Sequence, residues 1–244
     1  CANRPEWNFI DMGLTLANLI YVPVYTTMSN EDYKHIFNHS DAKVIILGNE
    51  TLVKKLVPFI EKADHPIKVY TLDHVEGYES IDDLYKLGEE NASKYEEAIK
   101  RNKAELSDSE VATIIYTSGT TGTPKGVMLT HRNLVFEFIG TAVQQIRDYR
   151  HKMLSFLPLC HIYERSMNYD YQYLGISIYY AESLSTIATD LADCKADGFC
   201  AVPRVLEMMF SKFESAGKDL SGIKKLIYNW AFSIACKFDY SNTS

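Results

Sequence analysis

The 244-residue sequence carries 25 Lys and Arg against 32 Asp and Glu, a net charge of −7, with 46% hydrophobic and 23% charged residues. Such a chain is long enough to bury a core and too apolar to be disordered or fibrous. Its acidic balance lacks the basic stripe that releases counterions from phosphate backbones, so no nucleic-acid partner is expected.

Taken in chain order, residues 5 to 19 place Pro5 in a first helical turn and Trp7, Ile10, Leu14 and Ala17 at helical spacing. Tyr21 to Tyr25 is expected as a strand. Ser29 followed by Asp32 approximates a capping box for a short helix whose apolar face is Tyr33, Ile36 and Phe37. Val44 to Leu47 predicts a buried strand, Val53 to Ile60 a helix and Ile67 to Leu72 another strand, an alternation that argues for parallel βαβ units. Residues 82 to 110 break the pattern: apolar positions thin out and Glu90/Lys94, Glu96/Lys100 and Glu97/Arg101 sit four apart, as on a solvated helix.

Val111 to Tyr116 resumes as a strand, a Gly/Thr connection follows, and a helix is expected from about Thr130, with Leu134, Val135, Phe138, Ile139, Ala142 and Ile146 on its inner side. Beyond residue 151 the alternation repeats: strand Met153–Leu157, a helix after His161, strand Ile176–Tyr180, a helix through Leu191, strand Phe199–Val202 and a helix from Pro203. The expected fold class is α/β, with layered, doubly wound and mainly parallel sheets and flanking helices. Residues 1–150 would form a first α/β subdomain ending in the Gly/Thr connection and its helix, and 151–244 part of a second. Cys1, Cys160, Cys194, Cys200 and Cys236 are scattered, without zinc-like pairing, and fit reduced thiols in a cytosolic protein.

Thr117-Ser118-Gly119-Thr120-Thr121-Gly122-Thr123-Pro124-Lys125-Gly126 gathers hydroxyls, glycines and one lysine just after a buried strand. Glycines let the backbone approach phosphate oxygens, hydroxyls add donors, successive amides form an anion-binding concavity, and the lysine adds a mobile charge. A bland polar turn is the alternative for any isolated loop of this composition. A Walker A sequence would put the lysine after the last glycine, whereas Lys125 precedes Gly126, so an ordinary P-loop NTPase is excluded.

The run Ile115 to Val127 resembles the signature of the adenylate-forming superfamily. Asn3-Arg4-Pro5-Glu6-Trp7, Val22-Pro23-Val24-Tyr25, Thr130-His131-Arg132-Asn133, Leu157 through Arg165 and Val202 through Glu207 are similar to long-chain fatty acid CoA ligases, the His161-Ile162-Tyr163-Glu164-Arg165 segment most discriminatingly. The resemblance implies the incomplete N-terminal domain of such an enzyme, without its C-terminal lid domain. It also implies ATP, Mg2+ and coenzyme A as cofactor and cosubstrates, and a fatty acid as substrate. Thr117, Ser118, Gly119, Thr120, Thr121, Gly122 and Lys125 would hold the β- and γ-phosphates, with Lys125 as a catalytic charge and Thr117 as a hydroxyl ligand to magnesium. His161 is the other catalytic candidate, bordering the acyl and adenylate pocket by resemblance, or else satisfying a hydrogen bond at a helix start.

The family's adenine, ribose and hinge residues have no counterpart after Tyr240, and the chain opens at Cys1 rather than Met, so an excised piece, inactive alone, is expected. A cytoplasmic protein is implied, with peripheral contact at the inner membrane face for substrate delivery left open. An adenylate-forming ligase for aryl or amino acids, one that transfers to an acyl carrier, and a non-catalytic nucleotide-binding protein are the competing functions.

Overall fold

The structure, a computed structural model, describes residues 1–117, 122–144 and 146–238. Two compact units divide the chain, Cys1–Cys200 and Ala201–Ser244.

The first unit opens with α1 (Pro5–Leu16), which has Pro at its first turn and buries Trp7, Asn8 and Asp11. Proline is well placed there because the first helical amides have no intrahelical acceptor. Among the described residues, the stretch expected as a strand at Tyr21 to Tyr25 contributes only one isolated parallel bridge, Tyr21 to Thr113. Pro23 cannot donate to a ladder, and pairing goes no further. Helix α2 (Asn30–His39) starts with the expected capping box, Ser29 and Asp32 each satisfying the other's backbone amide. Strand β1 (Val44–Leu47), α3 (Glu50–Ile60), β2 (Lys68–Thr71) and β3 (Glu79–Ser80) follow. The three strands pair in parallel in the order β1-β2-β3. Tyr33, Phe37, Leu47, Val53, Leu56 and Ile60 close a core between α2, α3 and this sheet.

Helix α4 (Ile81–Glu105) is the charged excursion, buried only at Ile81. Of its expected ion pairs, Glu96 meets Lys100 at 2.8 Å with both side chains about 60% exposed, so its contribution is small. Strand β4 (Val111–Thr117) is followed not directly by a helix but by β5 (Lys125–Thr130), and the two form an antiparallel hairpin. The expected order of strand, loop and helix is therefore corrected. Residues 125–130 pair along β4 before α5 (His131–Gln144) begins, and Asn133 Oδ1 accepts from the Thr130 amide and hydroxyl at that start.

A third sheet, in the order β7-β6-β8, consists of β6 (Lys152–Ser155), β7 (Ser177–Tyr180) and β8 (Gly198–Phe199), all parallel. Helices α6 (Ile162–Tyr173) and α7 (Ile187–Cys194) alternate with these strands. Met153, Met167, Tyr171 and Ile176 form the core under this sheet. The α/β class with parallel sheets is thus observed, with the β4–β5 hairpin as its antiparallel element.

The second unit pairs α8 (Pro203–Lys218) with α9 (Gly222–Ala235). Phe213 packs against Tyr228 and Phe232 at 5.2 and 6.1 Å between ring centroids. No helix among the described residues is long and apolar enough to cross a membrane.

Candidate functional site

The signature segment joins β4 to β5 in sequence. Of its residues, Ser118, Gly119, Thr120 and Thr121 lie outside the described residues. Those on either side are placed. Thr117 ends β4, Lys125 opens β5, and the two are register partners, both exposed. Directly paired residues of an antiparallel ladder project to the same face with Cβ atoms roughly 5 Å apart, so hydroxyl and ammonium share one side of the hairpin mouth. Gly122 has φ of 87°, in the left-handed region that glycine enters without steric cost.

One register step inward, Tyr116 pairs with Gly126. A Cβ on Gly126 would stand 2.8 Å from Ile114 Cγ2 and 3.4 Å from Tyr116 Cζ, so the tyrosine ring occupies the space that the glycine leaves. Burial pushes the Tyr116 phenol above its ordinary value, keeping it neutral and able to donate. Its hydroxyl lies 2.7 Å from His39 Nδ1 on α2, and Pro124 O, just before β5, lies 3.1 Å from His35 Nε2. A carbonyl only accepts, so His35 carries its proton on Nε2. The two imidazoles stack at 5.1 Å and border, with Glu31, Lys34 and Asn38, an open groove of about 440 Å³. Sequence reasoning passed over this pair, although two histidines four apart on a capped helix were its visible signal.

His161 is the N-cap of α6, where its Nδ1 accepts from the Tyr163 amide at 3.2 Å, and the side chain is exposed. Lys125 and His161 therefore sit on separate supports, a hairpin end and a helix start. Glu164 and Arg165 do not face each other, as their adjacency on the helix dictates. Arg165 instead reaches Asp11 of α1, with Nη2 to Oδ1 at 2.5 Å, and donates to Thr113 Oγ1 of β4 at 2.8 Å and Tyr169 Oη at 2.7 Å. Its guanidinium also lies over the rings of Trp7 and Tyr21, 5.4 and 5.0 Å from their centroids. Burial alone would lower its pKa, but Tyr169 and Asp11 more than offset this and hold it above the ordinary value.

Glu164 is equally buried, and its Oε2 has no hydrogen-bond partner among the described residues. Burial pushes this carboxyl up to about 7, against hydrogen bonds from Ser155 and the Phe156 backbone. The tyrosines of α6 divide: Tyr169 and Tyr171 are buried, Tyr171 Oη lying 3.1 Å from Cys200 Sγ, whereas Tyr173 is exposed.

The sequence matches the family described as AMP-binding enzyme over residues 1–234. The chain belongs to the AMP-binding enzyme family. Among similar family members, the peroxisomal long chain acyl-CoA synthetase 6 of Arabidopsis thaliana is 31% identical over 238 residues, covering 95% of this chain and 34% of that protein. Fatty acyl-CoA synthetase A of Dictyostelium discoideum is 30% identical over 246 residues, covering 95% of this chain and 35% of its own length. The chain thus spans about a third of the length of these curated relatives. A long-chain-fatty-acid-CoA ligase (FadD1) from Archaeoglobus fulgidus shares the fold with a TM-score of 0.68 at 21% identity, over 88% of this chain and 41% of that one. The N-terminal domain of FACL13 from Mycobacterium tuberculosis gives 0.66 at 20% identity, over 85% and 50%.

Proposed function

We propose that this chain carries the pyrophosphate side of the active site of an AMP-forming long-chain fatty acid CoA ligase. The fatty acid carboxylate attacks the α-phosphorus of ATP, the bond to pyrophosphate breaks, and the thiol of coenzyme A then displaces AMP from the acyl carbon. The observation that carries the proposal is the register pairing of Thr117 with Lys125, which sets the signature's hydroxyl and cation on one face of an exposed hairpin mouth.

Nucleophile and polyphosphate are both anionic, so the first step is limited by charge, and catalysis must come from positioning and electrostatic stabilisation. Lys125 supplies the positive charge opposite the departing pyrophosphate. Ser118, Gly119, Thr120, Thr121 and Gly122 supply backbone and hydroxyl donors. The substrate carboxylate is already ionised and needs no general base, which makes His161 a positioning group. Its Nδ1 is used by the cap, leaving Nε2 to meet the substrate.

Among the described residues no group of three or more His, Cys, Asp or Glu could hold a metal ion. A single hydroxyl such as Thr117 suits magnesium, which keeps most of its water and binds largely through substrate phosphates. Bound there, the ion would neutralise phosphate charge.

The test is acid-dependent exchange of pyrophosphate into ATP by the full-length protein, run with palmitate, benzoate and a set of amino acids. Exchange is expected with palmitate, and Lys125→Ala should lower kcat/KM for ATP by about 100-fold, the scale of losing one preorganised charge donor. Exchange with aryl or amino acids and none with palmitate would overturn the fatty acid assignment.

A further inference from the structure

Helix α2 bonds to β4 and to the residue that leads into β5, on either side of the signature segment. His39 Nδ1 meets the hydroxyl of Tyr116, the residue before Thr117, and His35 Nε2 donates to the carbonyl of Pro124, the residue before Lys125. Both rings also pack edge-on against Tyr116, at 6.1 and 5.8 Å between centroids. We infer that His35 and His39 are positioning residues for nucleotide binding, a two-point bracket that fixes the separation and direction of Thr117 and Lys125.

The bracket is rigid because its base is. Tyr33, Ile36 and Phe37, on the other side of α2, are at most 2% exposed in the core, and the Ser29–Asp32 box fixes the helix start. Tyr33 Oη adds a hydrogen bond to Tyr25 O at 2.9 Å. A hairpin tip held by its own ladder alone frays at its last pair. Thr117–Lys125 is the last pair among the described residues, and the side-chain bonds from α2 fall at Tyr116, one residue further from the tip on β4, and at Pro124, just before β5. Tyr116 and Pro124 are thereby tied to a helix anchored in the core as well as to the hairpin itself. Preorganised donors act on phosphate because they need no rearrangement when the ligand arrives, and the histidines supply that preorganisation without touching the nucleotide.

This inference rests on the proposal that the segment holds the leaving pyrophosphate. Two double variants of the full-length protein test it: His35→Leu with His39→Leu removes both bonds, and His35→Gln with His39→Asn restores a donor and an acceptor at the same positions. MgATP affinity by calorimetry and pyrophosphate exchange with palmitate are the readouts. The leucine variant should weaken MgATP binding and lower kcat/KM for ATP by about tenfold, on the scale of a small misplacement of catalytic groups, with the KM for palmitate and Tm unchanged. The Gln/Asn variant should recover most of the loss.

Wild-type MgATP affinity in the leucine variant would overturn the bracket. So would a Gln/Asn variant no better than leucine, or losses that follow Tm and affect palmitate equally. A wild-type protein that binds MgATP but exchanges with no fatty acid would remove the ligase assignment and leave the bracket to be decided by nucleotide affinity. Absence of MgATP binding in the wild type would overturn both.

Discussion

Arg165 Nη2 and Asp11 Oδ1 lie 2.5 Å apart with both side chains 1% exposed, although 154 residues separate them in the chain. The pair locks α6 onto α1, and the bond from Arg165 to Thr113 adds β4 to the same knot. Removing one partner leaves the other charged and buried, which costs about 3–5 kcal/mol. Asp11→Ala is therefore expected to lower the unfolding free energy from urea titration by that amount. The double variant Asp11→Leu with Arg165→Met, which removes both charges and keeps bulk, should lie much closer to the wild type. A single variant no less stable than the double one would show that the pair is not closed in solution.

Gly126 is set by space rather than by backbone angle. Alanine there would bring its Cβ within 2.8 Å of Ile114 Cγ2, an atom fixed one bond from that residue's own Cβ, and against the Tyr116 ring. Overpacking of this kind costs about 1–3 kcal/mol. Gly126→Ala should lose stability in that range, and Gly126→Val more. Pyrophosphate exchange should fall in step, because the displaced Tyr116 would carry Thr117 and the bond to His39 with it. Equal stability of Gly126→Ala and wild type in chemical unfolding would contradict the contact.

The elements that sequence made legible are those decided within a few residues. Ser29 and Asp32 announce their own helix start, and Val44–Leu47 with Val53, Leu56 and Ile60 sets strand and helix by periodicity. Strand β5 was hidden because Lys125–Thr130 is defined by its ladder to β4, and a Gly/Thr connection before a helix is equally compatible with a direct strand-to-helix turn. Tyr21–Tyr25 has strand-like composition, but Pro23 limits it to one bridge. The signature named Thr117, Gly122 and Lys125, whereas His35 and His39 carry no motif and become informative only when α2 is laid beside the hairpin. The partners of Arg165, Asp11 and Thr113, are far away in sequence, so nothing beside Glu164 announces them.

Glu164 makes stability depend on pH. Its folded-state value, pushed to about 7 by burial, stands above the ordinary 4.5, so the folded state holds this proton more tightly than the unfolded chain does. The corresponding stability is fully present below about pH 4.5 and is lost as pH rises to about 7, and the shift corresponds to about 3 kcal/mol. Above pH 7 the carboxylate is ionised in both states and the penalty stays constant. Glu164→Gln keeps the shape and cannot ionise. Its urea midpoint should match the wild type near pH 4.5, pull ahead steadily through pH 5 and 6, and hold a constant advantage from pH 7.5 to 8.5. Taking the difference between the two proteins removes every other titrating group from the comparison. Parallel curves across this window would mean that Glu164 ionises freely in the folded protein, and that its Oε2, without a partner among the described residues, finds water or another donor.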